Sequence, residues 1–284
     1  MNTLSATDSY LSLLLSLPQL QPMTVLAVFF LTLARVLPII SLAPFLGSKN
    51  VPATIRIMFG VALVAIFLPP NLLAVGKEIP FGFPFIGYFL KEMVIGFALG
   101  FLSTVPFMIA QMAGGLVDFQ RGAASLQVTD PTTHTQTGPI GLLFNYLLIA
   151  LFFILDGPFL FFNGLADSYQ IIPVDAIFPA QIFNFHNSFW QKIMGLVGMM
   201  MNVATQLASP ALIGILLTDL FLGIANRLAP QVQIVFLGIA LKSWVGIAIM
   251  TAAWGLMVQV ICRETISWFQ AINWMIHEIG FSSH

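Results

Sequence analysis

Three charged residues, Asp219, Arg227 and Lys242, lie within one otherwise apolar stretch of the chain, between Leu212 and Cys262. A charged side chain costs several kcal/mol to bury in hydrocarbon unless it is paired, hydrated or turned toward protein. One acid and two bases in such a stretch could neutralise one another as ion pairs, and Asp219 and Arg227 are candidate partners. We therefore interpret all three as embedded charges that face a protein-lined interior.

Small and polar residues in the same stretch recur at helical spacing. They form two stripes, each on one helical face: Asp219, Gly223 and Asn226, and Gly238, Lys242 and Gly246. Stripes of small residues let two helix backbones approach closely. The pattern therefore predicts tight helix contacts beside the embedded charges.

A further carboxylate lies in the run EMVIGFALGF, where Glu92, Gly96 and Gly100 recur every four residues and so share one helical face. The pattern favours a tight helix contact at which Glu92 meets a neighbouring cation or a backbone donor. A proton-relay carboxylate is the alternative interpretation. Arg35, in an earlier apolar segment, is one more embedded charge.

One long polar segment, DFQRGAASLQVTDPTTHTQTGP, separates two apolar segments between Asp118 and Pro139. It holds five threonines, a single histidine, His134, and the turn signal Asp130-Pro131. It is too polar for lipid and too long for a tight helix connection, and loops of this length are usually functional or disordered. An ordinary solvent loop is the other interpretation. A metal or acid/base site at His134 is disfavoured because no further ligand lies nearby in the sequence.

The composition indicates an integral membrane protein or a core piece of a membrane-embedded assembly. The 284 residues are 58% hydrophobic and 7% charged, whereas an ordinary soluble domain is roughly a quarter charged. The net charge of −1 provides no basic surface for nucleic acid. Cys262 is the single cysteine, so no intrachain disulfide can form. No internal repeat is visible in the sequence, and we treat residues 1–284 as one domain.

Six apolar segments are long enough to span a bilayer: residues 23–46, 55–75, 85–113, 139–166, 188–217 and 232–262. Several would be poor lipid-facing spans. The first contains Arg35 and Pro38, and the fourth is interrupted by Asp156, Gly157 and Pro158. Proline and glycine inside such segments usually mark kinks or discontinuous helices buried in protein. The sequence therefore predicts an all-α membrane protein of bent, protein-packed helices.

The segments described above match a known family. The runs RVLPIISLAPFLGSKNVPATIR, EMVIGFALGF, QMAGGLVDFQRGAASLQVTDP and DLFLGIANRLAPQVQIVFLGIALK, in this order between Arg35 and Lys242, resemble the SctT/FliR family. Its members are the T component of the type III secretion export apparatus and the flagellar counterpart of that component. The phrase DFQRGAA resembles the injectisome branch more than the flagellar one. The run LDGP, from Leu155 to Pro158, departs from the Gly-Gly pair usual in relatives, so the bend there is expected to differ.

The resemblance implies bent helical hairpins that assemble with two sister membrane components, R and S, into a helical export gate in the bacterial inner membrane. It also implies contacts with the switch/autoprotease component and the large export-gate component of the secretion base. Unfolded secreted proteins are the implied substrates, and no cofactor is implied. We expect Gly96 and Gly100 to support assembly with the sister subunits.

The resemblance also implies a pore plug, because the loop from Gly122 to Gly138 matches in position the closing segment of relatives. Its candidate residues are Gly122, Ala123, Ser125, Leu126, Val128, Asp130, Pro131, His134 and Gly138. The candidate residues for embedded charge and assembly are Arg35, Glu92, Gly96, Gly100, Asp219, Arg227 and Lys242. A polar plug would suit a wet channel.

We interpret the chain as a non-enzymatic export-gate component that helps to form and close a conduit for unfolded proteins. A stand-alone secondary transporter or channel is the alternative, since broken helices and embedded charges would also suit one. Transporter folds usually show internal repeats, and none is visible in this sequence. An intramembrane enzyme is a further alternative, but no Ser/His/Asp, Cys/His or paired-carboxylate arrangement supports it.

Overall fold

Helices make up almost all of the structure, which confirms the all-α class expected from the sequence. The computed structural model describes residues 21–46, 51–79, 81–122, 128–129, 136–176, 188–228 and 234–281. The elements in these segments are α1 (Pro22–Leu42), α2 (Ala53–Ala74), α3 (Phe83–Gln120), β1 (Val128–Thr129), β2 (Gln136–Thr137), α4 (Pro139–Ile154), α5 (Gly157–Ile171), α6 (Ser188–Leu228), α7 (Ile234–Ala252) and α8 (Trp254–Phe281). A 3-10 turn at Pro44–Leu46 follows α1.

Proline sets several of the helix boundaries. Pro22 and Pro139 occupy the first turns of α1 and α4, where the missing N–H has no helical partner to lose. Helix α1 ends at Leu42 because Ala43 precedes Pro44 and adopts an extended conformation. Further prolines lie inside α1, α3 and α6: Pro38, Pro106 and Pro210. Each removes one helical hydrogen bond, which membrane helices tolerate when neighbouring protein satisfies the freed carbonyl.

Four described helices, α1, α2, α3 and α6, are long and apolar enough to cross a membrane. Two further pairs, α4 with α5 and α7 with α8, pass the same test together although each pair is broken. The number of spans therefore rises to six if each broken pair counts once, which agrees with the six apolar segments of the sequence. Only 22% of the apolar window of α2 is buried within the chain, so α2 offers most of its apolar surface to lipid or to other protein.

The two helix breaks differ in how well the sequence marks them. Between α4 and α5, Asp156 has a positive φ of 55°, at the position where the sequence predicted an interruption. Gly157 then lies so close to the Phe152 ring that an added Cβ would overlap it. Between α7 and α8 the chain bends by 66° at Ala253, a residue that no proline or turn signal marks.

Two compact units divide the chain, and both are discontinuous in sequence. The first comprises Met1–Ser103, Phe159–Phe189 and Ala271–His284. The second comprises Thr104–Pro158 and Trp190–Gln270. The assignment of residues 1–284 to one export-apparatus domain stays a prediction.

Each unit has an apolar core of its own. In the first unit, buried aliphatic side chains of α1 and α2 pack together: Val36, Ile40, Leu63 and Val64. In the second unit, the Phe152 ring lies between two other rings, with its centre 5.6 Å from that of Phe107 and 4.8 Å from that of Phe269. These cores hold the helices that carry the polar residues described next.

Candidate functional site

A buried ion cluster lies in the first unit, at Arg35 of α1 and at Lys91 and Glu92 of α3. Arg35 donates from Nε to Oε2 of Glu92 at 2.5 Å and from Nη2 to Oε1 at 2.9 Å, so this ion pair is bidentate. The Nζ atom of Lys91 lies 2.7 Å from the same Oε1. Because Arg35 and Glu92 are fully buried, protein groups and not bulk water must neutralise their charges.

The cluster carries one surplus positive charge, and backbone carbonyls at the end of α5 offset it. Nη2 of Arg35 donates to the Ile172 carbonyl at 2.8 Å. Nζ of Lys91 donates to the carbonyls of Pro173 at 2.8 Å and Ala176 at 2.9 Å. These acceptors follow the C-terminal end of α5, where the helix dipole is negative and a cation is stabilised. The cluster therefore joins α1, α3 and the end of α5.

The remainder of the Arg35 guanidinium is also satisfied. Nη1 donates to Oγ of Ser168 at 3.0 Å, and Cζ lies 4.0 Å from the centre of the Tyr169 ring in a cation–π contact. The Tyr169 hydroxyl donates in turn to the Thr32 carbonyl at 3.3 Å. The structure thus places Glu92 against two cations, as the helix-contact interpretation of the sequence expects.

Gly96 and Gly100, the small residues beside Glu92, lie against the backbone of α1. A Cβ atom added to Gly96 would overlap the carbonyl oxygen of Arg35, and one added to Gly100 would lie 3.1 Å from Cα of Ile39. Helices α1 and α3 can pack this closely only because both positions are glycine. The described contact of this stripe is within the chain, and the role of the two glycines in assembly with other subunits stays a prediction.

Asp219 and Lys242, two of the embedded charges in the second unit, form an ion pair between α6 and α7. Nζ of Lys242 pairs with Oδ1 of Asp219, and the two side chains are 25% and 36% exposed. The candidate pairing of Asp219 with Arg227 is therefore wrong. The two residues are eight positions apart on α6, which is roughly 12 Å along a helix, and Arg227 is exposed.

The two small-residue stripes of the sequence face each other beside this ion pair. Residues of both stripes line an open cleft of about 360 Å³, together with the apolar side chains of Leu222 and Ile239. The stripe residues in this lining are Asp219, Gly223, Asn226, Gly238 and Lys242. A Cβ added to Gly238 would lie 3.2 Å from Cδ1 of Leu222. One added to Gly246 would lie 3.1 Å from Cδ1 of Ile215. Gly238 and Gly246 therefore lie close to α6, as their spacing predicts, whereas Gly223 borders the open cleft and a Cβ added there would meet no atom within 4 Å.

The base of the polar loop contains a side-chain arrangement that the sequence analysis missed. Asp118, in the last turn of α3, accepts hydrogen bonds at Oδ2 from the backbone N–H groups of Ile140 at 2.8 Å and Gly141 at 3.2 Å. Its Oδ1 atom accepts from Nε of Arg121 at 3.0 Å and from Nη2 at 2.5 Å. A Cβ added to Gly138 would overlap the Asp118 carboxylate. One buried aspartate therefore connects the end of α3 to the start of α4.

The loop that these residues bound is only partly described. Gly122 lies two residues after the end of α3 and has a φ of +82°. Its N–H donates to the Phe119 carbonyl at 3.1 Å, an arrangement beyond a helix end that suits glycine. Val128 pairs with Thr137 in a short antiparallel strand pair. Six of the candidate plug residues lie outside the described residues: Ala123, Ser125, Leu126, Asp130, Pro131 and His134.

These features define a class: a multi-pass integral membrane protein whose broken helices are held together by ion pairs inside the protein. Residues 26–266 match the family model described as bacterial export proteins, family 1. The chain therefore belongs to the SctT/FliR family of bacterial export proteins. Together with the long apolar helices, this membership makes it a multi-pass protein of the bacterial inner membrane.

Relatives from secretion systems and from flagella are both similar to the chain. It is 33% identical over 181 residues to the secretion system apparatus protein SsaT of Salmonella typhimurium. That alignment covers 64% of this chain and 66% of SsaT, so the matched part is a little less than two thirds of either protein. It is 32% identical over 221 residues to the flagellar biosynthetic protein FliR of Bacillus subtilis, covering 75% and 81%. It is 29% identical over 249 residues to the surface presentation of antigens protein SpaR of Shigella flexneri, covering 87% and 89%.

Proposed function

We propose that the chain is an inner-membrane component of a type III export gate, and that it helps to form and close the conduit for unfolded substrate proteins. Membership of the bacterial export family provides the setting. The observation that carries the proposal is the polar loop from Gly122 to Gly138, which joins two apolar helices of a chain that is 58% hydrophobic. A polar loop of this length needs water or protein around it, and a conduit for polypeptides provides both.

We propose that this loop is a movable seal. A conduit wide enough for a polypeptide would leak ions and small solutes unless something filled it while no substrate passed. Gly122 follows the end of α3 and Gly138 precedes α4, so displacement of the segment between them would break neither helix. The closing role therefore belongs to the whole loop between these two glycines, with the strand pair at Val128 and Thr137 near its base.

The proposed partners of the chain are other subunits of the export apparatus. Relatives that are named as secretion-apparatus and flagellar components support assembly with other export-apparatus subunits. We propose the R and S components as direct partners, and the switch/autoprotease and large export-gate components as further ones. The phrase DFQRGAA at Asp118 to Ala124 favours an injectisome over a flagellum. The role is structural and not enzymatic.

A stand-alone secondary transporter is the second candidate, because two helix pairs are broken and broken helices suit transporters. The ion cluster at Arg35, Lys91 and Glu92 argues against that role. Its groups are already bound to one another and to backbone carbonyls, so this cluster offers no open coordination position to a transported ion.

Deletion of residues 123–137 in an otherwise intact complex is expected to raise the leakage of ions and small solutes across the inner membrane severalfold. The physical reason is that the loop fills the resting conduit, while α3 and α4 remain joined at Asp118. Leakage is measured as uptake of a small solute by cells, or by vesicles that contain the complex, and assembly is checked by co-purification of the sister subunits.

His134→Ala is the matched control for this deletion, since it changes one loop side chain and leaves the length of the loop unchanged. It should assemble and remain as tight as the unmodified complex. An intact complex whose leakage does not rise after the deletion would show that the loop is not the seal.

A further inference from the structure

Two consecutive prolines, Pro69 and Pro70, lie inside α2. Because proline has no N–H group, Pro69 cannot donate to the carbonyl of Ala65, four positions earlier. Pro70 cannot donate to the carbonyl of Ile66 for the same reason, and it cannot reach back five positions to Ala65 either. Two backbone oxygens of α2 therefore lose their helical hydrogen bonds.

Helix α6 shows how this chain satisfies such a carbonyl by itself. Pro210 lies inside α6 and frees the carbonyl of Gln206. The residue before this proline is Ser209, and its Oγ atom donates to the Gln206 carbonyl at 2.7 Å. A hydroxyl one position before the proline thus replaces the missing N–H group.

Helix α2 has no such donor. The residue before its first proline is Leu68. Asn71, the polar side chain nearest to the prolines, is buried and donates instead to Oγ1 of Thr32 at 3.2 Å. Within the described part of the chain, no donor outside α2 reaches the carbonyl of Ala65 or Ile66. The two oxygens need donors from beyond the described segments.

The freed carbonyls lie on a side of α2 that the described chain leaves uncovered. A helical carbonyl points along the axis toward the residue four positions ahead, and both Ala65 and Pro69 are exposed. Small side chains at Ala62 and Ala65 leave the backbone open to close approach by another helix. We call this side the α2 face, and its residues are Met58, Ala62, Ala65, Ile66, Pro69 and Leu73.

Neither lipid nor water suits the α2 face. Ala65 lies about 18 Å from the start of this 22-residue helix and about 14 Å from its end, near the middle of a hydrocarbon core about 30 Å thick. Lipid chains have no donor for a freed carbonyl. Water has donors, but it would leave Met58, Ile66 and Leu73, each at least 66% exposed, in contact with solvent. A protein surface meets both needs.

A second copy of the α2 face does not meet them. Between Met58 and Leu73 the exposed residues of α2 are all apolar, so none has a hydroxyl or amide group to donate. Two copies packed symmetrically through this face would leave four carbonyls without donors. The partner is therefore a chain of different sequence.

We propose that the α2 face is the interface for a transmembrane helix of a different export-apparatus subunit, and that this helix presents a hydroxyl or amide side chain to the carbonyls of Ala65 and Ile66. This inference rests on the proposed assembly of the chain with other export-apparatus subunits. Apolar side chains of the partner helix cover Met58 and Leu73, and its donor lies near the middle of the contact.

The first test restores the missing donors in the complete export complex. In the double variant Pro69→Ala, Pro70→Ala, the two carbonyls bond within α2 and no longer need the partner. Co-purification of the sister subunits should fall severalfold, while the unfolding temperature of the full chain in detergent should not fall. Leu68→Ser copies the arrangement at Ser209 and should weaken co-purification to a smaller degree.

Pro210→Ala is the matched control for these variants. It makes the same change in a helix whose freed carbonyl already accepts from Ser209, so the sister subunits should co-purify in full. Undiminished co-purification with the double variant would overturn the proposal.

The second test identifies the occupant without changing the prolines. A photo-activatable residue replaces Ile66 in the complete complex, and the cross-linked product is identified by mass spectrometry. It should join this chain to a helix of a sister subunit that contains a hydroxyl or amide side chain. The same residue in place of Leu63, which packs in the core between α1 and α2, should give products within the chain only.

A cross-link from position 66 to lipid, to a second copy or to another part of this chain would overturn the proposal. If the sister subunits still co-purify in that case, the proposed export-gate function survives. A chain that purifies without them removes both the interface and that function.

Discussion

Replacing Glu92 with glutamine should remove most of the stability of this subunit. The change leaves Arg35 and Lys91 buried without the carboxylate that both contact. Loss of one member of a buried ion pair costs about 3–5 kcal/mol, whereas the whole stability of a typical domain is about 5–15 kcal/mol. We expect a large fall in the yield of folded protein and in the thermal unfolding temperature in detergent.

Glu78→Gln is the control for this prediction. Glu78 is exposed and accepts a hydrogen bond from Nε2 of Gln21 at 2.7 Å, and a glutamine oxygen can accept the same bond. This variant should unfold at the same temperature as the unmodified protein. A Glu92→Gln variant as stable as the Glu78→Gln variant would mean that the buried cluster does not contribute to the fold.

Two glycine-to-alanine changes in the same helix, α3, should have opposite effects. At Gly96 the new Cβ would overlap the Arg35 carbonyl oxygen, and a backbone atom cannot rotate away as a side chain can. We expect a loss of about 1–3 kcal/mol, the usual cost of overpacking. At Gly87 nothing lies within 4 Å of the new atom, so alanine should stabilise the helix by about 0.5–1 kcal/mol.

The measurement is the unfolding temperature of the two variants beside the unmodified chain. Because both changes add one methyl group to one helix, the difference between them isolates the contact with α1. Equal unfolding temperatures for Gly96→Ala and Gly87→Ala would contradict the close approach of α1 and α3. A Gly96→Ala chain that folds normally but does not assemble would show that Gly96 lies at a subunit interface, as the sequence predicts.

The architecture could be predicted from the sequence where local chemistry decides it. The apolar segments predict the helices. The run Asp156, Gly157, Pro158 predicts the break between α4 and α5, because a left-handed residue and a proline cannot continue a helix. The break at Ala253 carried no such signal. Ala253 lies beside Trp254, whose ring centre is 6.4 Å from that of Phe144. Contacts of this kind depend on the tertiary fold and cannot be read from the local sequence.

The polar contacts could be predicted only in part, because helical spacing shows which residues share a face but not which face they meet. Glu92 was expected to meet a cation, yet Arg35 lies 57 positions away and only the fold brings the two together. In the same way, Asp219 pairs with Lys242 across two helices and not with Arg227 along one. The contacts of Asp118 with the start of α4 were not predicted, although an aspartate in the last turn of a helix is unusual and indicates compensation from elsewhere in the fold.

Purification of the full-length chain from its native membranes in mild detergent tests the central claim most directly. The account predicts that the chain elutes in one large, stable hetero-oligomer with two sister membrane proteins of the export apparatus. This complex should survive dilution, because the apolar faces that α2 and α6 leave exposed would be covered by other subunits. Elution of the chain alone or as a homo-oligomer, active in transporting a small solute, would contradict the export-gate assignment and favour the secondary transporter.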